Sequence, residues 1–169
     1  AGDTLLALPS VGLHTNGYSL ARKLFFDVAG YKVDTRLDEL NQTIGATLLQ
    51  PHTSYLPALE GLLDLNLIKG LAHITGGGLT ENIPRILPEG TGVQITRGTW
   101  PVLPVFKLMQ EIGNVIDAEM FRTFNMGVGM VIVAAPPDAE SIKAHLRKHN
   151  ETVYEIGRVT EGKREVVFN

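Results

Sequence analysis

The sequence predicts an α+β fold, a mixed β-sheet with helices packed mainly on one face; α/β is the nearest alternative. Three observations carry this. Val128 to Ala135 is near-continuously apolar, which suits a central strand buried on both faces. Helix-like and strand-like segments alternate along the whole chain. No internal repeat or low-complexity segment interrupts them.

The elements follow in order. Thr4 to Leu8 reads as a short buried strand. After the polar loop Val11 to Asn16, a helix runs from Gly17 to about Ala29, with Asn16 as N-cap and Gly30 as the stop. Leu20, Leu24 and Val28 share one face of it. Tyr31 to Asn41 is a charged, solvated connection. Thr43 to Leu49 reads as a short helix ended by Pro51, and Ser54 to Leu65 as an amphipathic one with Leu56, Leu59, Leu62 and Leu63 inward. Gly70 to Ile74 is strand-like, and a helix follows from Leu79 to Leu87.

The second half continues the alternation. Gly92 to Arg97 is a short strand, and Trp100 to Pro104 a break. Val105 to Ile112 is a helix closed by Gly113-Asn114, and Asp117 caps another through Phe121. Pro136-Pro137 ends the central strand, and Asp138 caps a helix to about His149. Val153 to Thr160 and Glu165 to Phe168 read as a terminal strand pair joined through Glu161-Gly162-Lys163.

Composition narrows the function classes. A chain of 169 residues, 44% hydrophobic and 20% charged, can bury one core. A net charge of −3 with no long basic run does not indicate a nucleic-acid groove. The absence of cysteine removes disulfides, thiolate nucleophiles and cysteine-ligated zinc. No apolar run reaches the roughly 18 residues of a membrane helix. Ala1 to Pro9 runs straight into a strand without an initiator Met, and is expected to be the cut edge of a longer polypeptide.

The chemistry concentrates in three loops. Gly76, Gly77 and Gly78 lie between the strand ending at Ile74 and the helix opening at Leu79. Such a loop collects unpaired N–H groups at the positive end of a helix dipole, which suits a phosphate oxyanion. It lacks the Lys-Ser/Thr ending of a P-loop and the spacing of a dinucleotide fingerprint; the competing reading is a tight turn between packed backbones. Leu13 to Ser19 holds His14, Thr15 and Asn16 before a helix start. There His14 is either an anion donor or a surface residue, and Asn16 either a ligand or a cap. His73 either points into the same cleft or is a satisfied strand residue. The third loop, Thr123 to Met130, leads into the central strand. His52, His145 and His149 show no metal-ligand spacing and read as surface residues.

Several long segments resemble one family, the phosphoribosylformylglycinamidine cyclo-ligases, also called aminoimidazole ribonucleotide synthetases. Gly2-Asp3 through Leu8-Pro9 resembles the lead-in G-D-x-L-I-x-L-P. Gly12 to Lys23 resembles G-x-H-[ST]-N-G-[YF]-S-L-x-R-K. Ala72 to Arg85 is nearly the full A-H-I-T-G-G-G-x-x-E-N-I-P-R, and Met120 to Met130 resembles the F-N-M-G-[IV]-G-M segment. One departure stands out. The family reads close to L-L-x-P-T-[RK]-I-Y where this chain has Leu48-Leu49-Gln50-Pro51-His52-Thr53-Ser54-Tyr55, so the basic residue at position 53 is missing.

The resemblance implies the C-terminal domain of a two-domain, cytoplasmic enzyme of purine biosynthesis. Its N-terminal domain, absent here, would hold ATP and Mg2+ and be this chain's partner; no metal ligand is expected here. The intact enzyme would be a homodimer. ATP would activate the formyl oxygen of formylglycinamidine ribonucleotide, and ring closure would follow. His14 and Asn16 are the expected catalytic residues, with His14 acting on rate more than on stability. His73, Thr75, Gly76, Gly77, Gly78, Glu81 and Asn125 are the expected substrate or phosphate contacts. The enzymatic alternative that the resemblance leaves open is another member of the same ATP-dependent superfamily: selenophosphate synthetase, thiamine-monophosphate kinase or the hydrogenase maturation protein. A stand-alone anion-binding module is the non-enzymatic alternative.

Overall fold

The computed structural model describes residues 1–169. The central strands are β1 (Thr4–Pro9) and β6 (Val128–Ala134). They pair antiparallel, Thr4 opposite Ala134 and Leu8 opposite Met130. β4 (Gly70–His73) flanks β6, and β7 (Tyr154–Glu161) flanks β1. β5 (Thr91–Ile95) and β8 (Val166–Phe168) complete a six-stranded sheet of order β4-β6-β1-β7-β5-β8. β2 (Arg36–Leu37) and β3 (Gln42–Thr43) form a separate short pair.

Both central strands bury both faces, which explains their apolar runs. Leu5 and Ala7 of β1, with Val131 and Val133 of β6, join the larger core. Leu6, Leu8, Ile132 and Ala134 point the other way into a smaller one. The larger core receives α1 (Tyr18–Arg22) with the π-helical turn that continues it to Val28, and α2 (Ile44–Leu48). It also receives α4 (Gly78–Asn82), α5 (Pro104–Gly113) and α6 (Asp117–Thr123). Only α3 (Leu56–Leu59), the turn after it and α7 (Pro136–Lys148) cover the other face.

Local readings change where backbone geometry overrides pattern. The Ser54 to Leu65 periodicity is not one helix. Gly61 takes φ +81 after α3, and a 3-10 turn at Leu63–Leu65 follows. Asn16 does not cap α1; Gly17 holds that position at φ +77 without a side-chain cap. Nor do Asp117 and Asp138 cap their helices. Asp117 accepts from Gln110 and Arg97 instead, and Pro136-Pro137 form the first turn of α7, where a proline costs no hydrogen bond. The helix expected from Leu79 to Leu87 is α4 tightening into a 3-10 turn at Ile83–Ile86.

The C-terminal strands are not paired with each other. β5 lies between them, antiparallel to β7 and parallel to β8. The chain crosses over the end of β5, where the Gly162 N–H donates to the Gly90 carbonyl at 3.1 Å. His145 and His149 stack on each other along α7 with ring centroids 4.5 Å apart; His145 is half-buried rather than on the surface.

Candidate anion-binding site

The ends of β1 and β4 and the start of β6 meet at one end of the sheet, because Pro9 pairs with Val128 and His73 with Met130. The residues singled out as site candidates lie at those strand ends, on the loops joined to them, or, for Gly78 and Glu81, in the first turn of α4. The Ile74 N–H donates to the Gly129 carbonyl at 2.9 Å and ties the glycine loop to the third loop. Asn16 reaches the glycine loop as well: its Oδ1 lies 3.6 Å from where a β-carbon on Gly76 would sit.

The glycine loop is held from inside by a residue that its local pattern did not single out. Asn82 donates from Nδ2 to the carbonyls of Thr75, Gly76 and Gly78 and accepts from the Thr75 hydroxyl. It is almost wholly buried. Thr75 is thus engaged within the loop. Gly78 differs from the expected phosphate contact: its N–H donates to the Thr75 carbonyl at 3.0 Å. At φ +57 it packs so closely on α6 that a β-carbon would overlap the Phe121 carbonyl. The N–H groups of Gly76 and Gly77 have no partner in the fold, and Gly76 is exposed. Glu81 folds back over Gly77, where a β-carbon would meet its Oε2 at 2.6 Å.

Asn125 is committed to the fold. Its Oδ1 accepts from Ser10 Oγ and the Gly127 N–H, and its Nδ2 donates to the Gly12 carbonyl. It fastens the His14 loop to the strand that follows.

His14 is not a surface residue. It is 2% exposed and sits at φ +55, uncommon for a histidine. Its Nε2 accepts from the Val11 N–H at 3.3 Å, so the neutral ring carries its proton on Nδ1, which has no partner. Burial, then the neighbouring His52 and His73, bring its pKa down to about 4. His14 is therefore a neutral donor near pH 7. Asn16 Nδ2 is a second buried donor without a partner.

His52, read from the sequence as a surface residue, is half-buried. Its ring stacks on His14 with centroids 4.1 Å apart, and its Nε2 lies 3.1 Å from Nε2 of His73. Burial and then His52 lower the pKa of His73. Tyr55 closes the group: its hydroxyl donates to the Pro9 carbonyl at 2.8 Å, and burial pushes its pKa up. Spacing could not reveal this cluster, since its three histidines come from segments far apart in sequence, two loops and the end of β4.

The donor set suits an oxyanion rather than a cation. Two free glycine N–H groups and two orphaned side-chain donors lie on loops at this end of the sheet, and no group of three His, Asp or Glu side chains can hold a metal ion. Residues 1–168 match the family model described as AIR synthase related protein, C-terminal domain.

The chain belongs to that family.

Two relatives of this AIR synthase C-terminal domain bear the name phosphoribosylformylglycinamidine cyclo-ligase. That of Bifidobacterium longum subsp. infantis is 48% identical over 160 residues, 94% of this chain and 46% of the relative. That of Brevibacillus brevis is 45% identical over 169 residues, 100% of this chain and 49% of the relative. The chain thus spans about half the length of the relatives it matches. Among solved structures, the domain resembles tt0281 from Thermus thermophilus, at TM-score 0.60 and 20% identity over 99% of this chain and 49% of that one. The hydrogenase maturation protein HypE in complex with ATP gives TM-score 0.61 and 19% identity over 99% of this chain and 47% of that chain. At these identities the likeness shows a shared fold.

Proposed function

We propose that this AIR synthase C-terminal domain is one half of a cytoplasmic, ATP-dependent cyclo-ligase that converts formylglycinamidine ribonucleotide to aminoimidazole ribonucleotide. The observation that carries the reading is identity of 45–48% along nearly the whole chain to proteins of that name. The partner is an N-terminal domain of the same polypeptide, which holds ATP and Mg2+, and the assembled enzyme is a homodimer. The reaction moves the γ-phosphoryl group of ATP onto the formyl oxygen. A neighbouring nitrogen then attacks that carbon, phosphate leaves with the oxygen, and the ring closes.

This half supplies positioning and charge stabilisation. Gly76 and Gly77 offer backbone N–H groups to a phosphate oxygen, and Asn16, whose Oδ1 lies beside the same loop, keeps a buried Nδ2 donor without a partner. His14 offers a neutral Nδ1–H donor, which stabilises developing negative charge without adding a buried cation. Asn82, Thr75 and Asn125 act one layer back, holding the loops that carry these donors.

The test joins this chain to the N-terminal half of the Bifidobacterium relative and measures ADP release. ADP release that depends on formylglycinamidine ribonucleotide is expected from the joined protein and not from the 169-residue chain alone. A folded, ATP-binding joined protein without that turnover would overturn the assignment.

A further inference from the structure

The three-histidine cluster has a feature that the proposed reaction does not use. Two bare imidazole nitrogens cannot hydrogen-bond, and neither can two N–H groups. The 3.1 Å contact between His52 Nε2 and His73 Nε2 therefore holds one proton between the rings. The pair is neutral when the rings are in opposite tautomers. It carries a single positive charge when one ring is doubly protonated. A second added proton would set two donors face to face and open the contact. His14 blocks relief from the other side. It stacks on His52, and its own Nε2 is already occupied by the Val11 N–H.

The elements packed against the pair bring little charge. The loop from β1 contributes His14, and the segment entering α3 contributes Tyr55, whose ring lies 6.4 Å from that of His73. Glu151, beyond α7, acts on Tyr55. No carboxylate, lysine or arginine forms an ion pair or hydrogen bond with any of the three rings. No ion pair neutralises a proton on the pair, and the one carboxylate at the glycine loop, that of Glu81, folds over Gly77. His73 stands three residues before Gly76, at the mouth of the loop with the free N–H groups.

We propose that His52 and His73 form a proton-sharing pair that holds at most one positive charge and supplies the cation of a phosphate-type oxyanion site beside Gly76 and Gly77. The proposal rests on the anion-facing reading of that loop. The site's charge is set by whether the pair has taken up that one added proton.

The experiment uses the 169-residue chain and sulfate, which keeps its charge across the range that matters. Imidazole nitrogen resonances followed by NMR from about pH 8.5 to about pH 5 count the protons the pair takes up. One proton, shifting His52 and His73 together, is expected; two independent protons, or none, would overturn the proposal. Sulfate titrations at about pH 5.5 and about pH 8 should then differ in affinity about fivefold, the effect of one nearby charge at partly solvated distance. In the double variant His52→Gln, His73→Gln that pH dependence should fall below about twofold while residual binding to the loop survives. Unchanged pH dependence in a folded double variant would remove the pair from the site and leave the loop reading standing. Absence of sulfate binding at both pH values, with the one-proton count intact, would sink the anion site itself.

Discussion

Tyr55 occupies the space that a side chain on Gly129 would need: a β-carbon there would overlap the Tyr55 hydroxyl and lie 2.9 Å from His14 Cε1. A single position near the start of β6 thus sets the place of two site rings from different loops. Only glycine leaves room for both, and the Tyr55 hydroxyl is then aimed at the Pro9 carbonyl. Gly129→Ala should destabilise the domain by about 2–4 kcal/mol, through overpacking and loss of that buried hydrogen bond. Chemical denaturation measures this. A loss below about 0.5 kcal/mol would show that Tyr55 can move aside at little cost.

Asn82 is the internal brace of the glycine loop. Asn82→Ala removes one shared donor from the carbonyls of Thr75, Gly76 and Gly78, Thr75 keeping the Gly78 N–H, at a cost of about 1–3 kcal/mol. Hydrogen exchange should show the consequence locally, with the amide of Gly78 losing protection before those of the central strands. Uniform loss across the sheet would mean that the loop and the core unfold together.

Acid should weaken the fold through His14. Its pKa falls from 6.5 when unfolded to about 4 when folded, so the unfolded chain binds more protons between those values. The stability that a neutral His14 permits is complete above pH 6.5 and is lost as pH falls toward 4; His73, also lowered, acts in the same direction. Between about pH 7.5 and about pH 5 the His14 contribution is at most about 2 kcal/mol, or about 4–8 °C in Tm. Thermal melts of the wild type and of His14→Gln across that range check it. The variant should lack most of the slope.

The expectation that His14 acts on rate more than on stability changes with its burial. A residue 2% exposed in a left-handed conformation contributes packing as well as a donor. His14→Ala is now expected to cost about 1–3 kcal/mol of stability, alongside a turnover loss on the order of 100-fold in the joined two-domain protein. Kinetics at a temperature well below the melt separate the two effects. Normal turnover there would leave His14 with a structural role only.

Glu81 should oppose anion binding. Its carboxylate folds over Gly77, beside the N–H groups that an oxyanion would use. Glu81→Gln is expected to tighten sulfate binding about three- to tenfold by removing a like charge. Unchanged affinity would place the bound anion away from Gly77.

Much of the fold was legible in the residues because it depends on short-range pattern. The apolar runs of β1 and β6 announce strands buried on both faces, and the loop Gly76 to Gly78 announces a turn that only small residues can make. The resemblance of Gly12–Lys23 and Ala72–Arg85 to one family was equally legible, since those motifs are contiguous. Caps were not. Gly17 replaced Asn16, and Ala135, ahead of Pro136-Pro137, replaced Asp138, because a helix start is decided by the φ that the incoming chain must adopt.

Tertiary structure alone decided neighbours. Nothing local says that β5 inserts between β7 and β8, because strand pairing is a relation between segments far apart along the chain. Nor does anything local bring His14, His52 and His73 together. Their assembly needs β1, β4 and β6 to meet at the same end of the sheet and Gly129 to leave room for the rings. The sequence by itself determined which side chains could do chemistry. The sheet determined which of them share a proton, which lose their charge to burial, and which, like Asn125 and Gly78, are used up in holding the site in place.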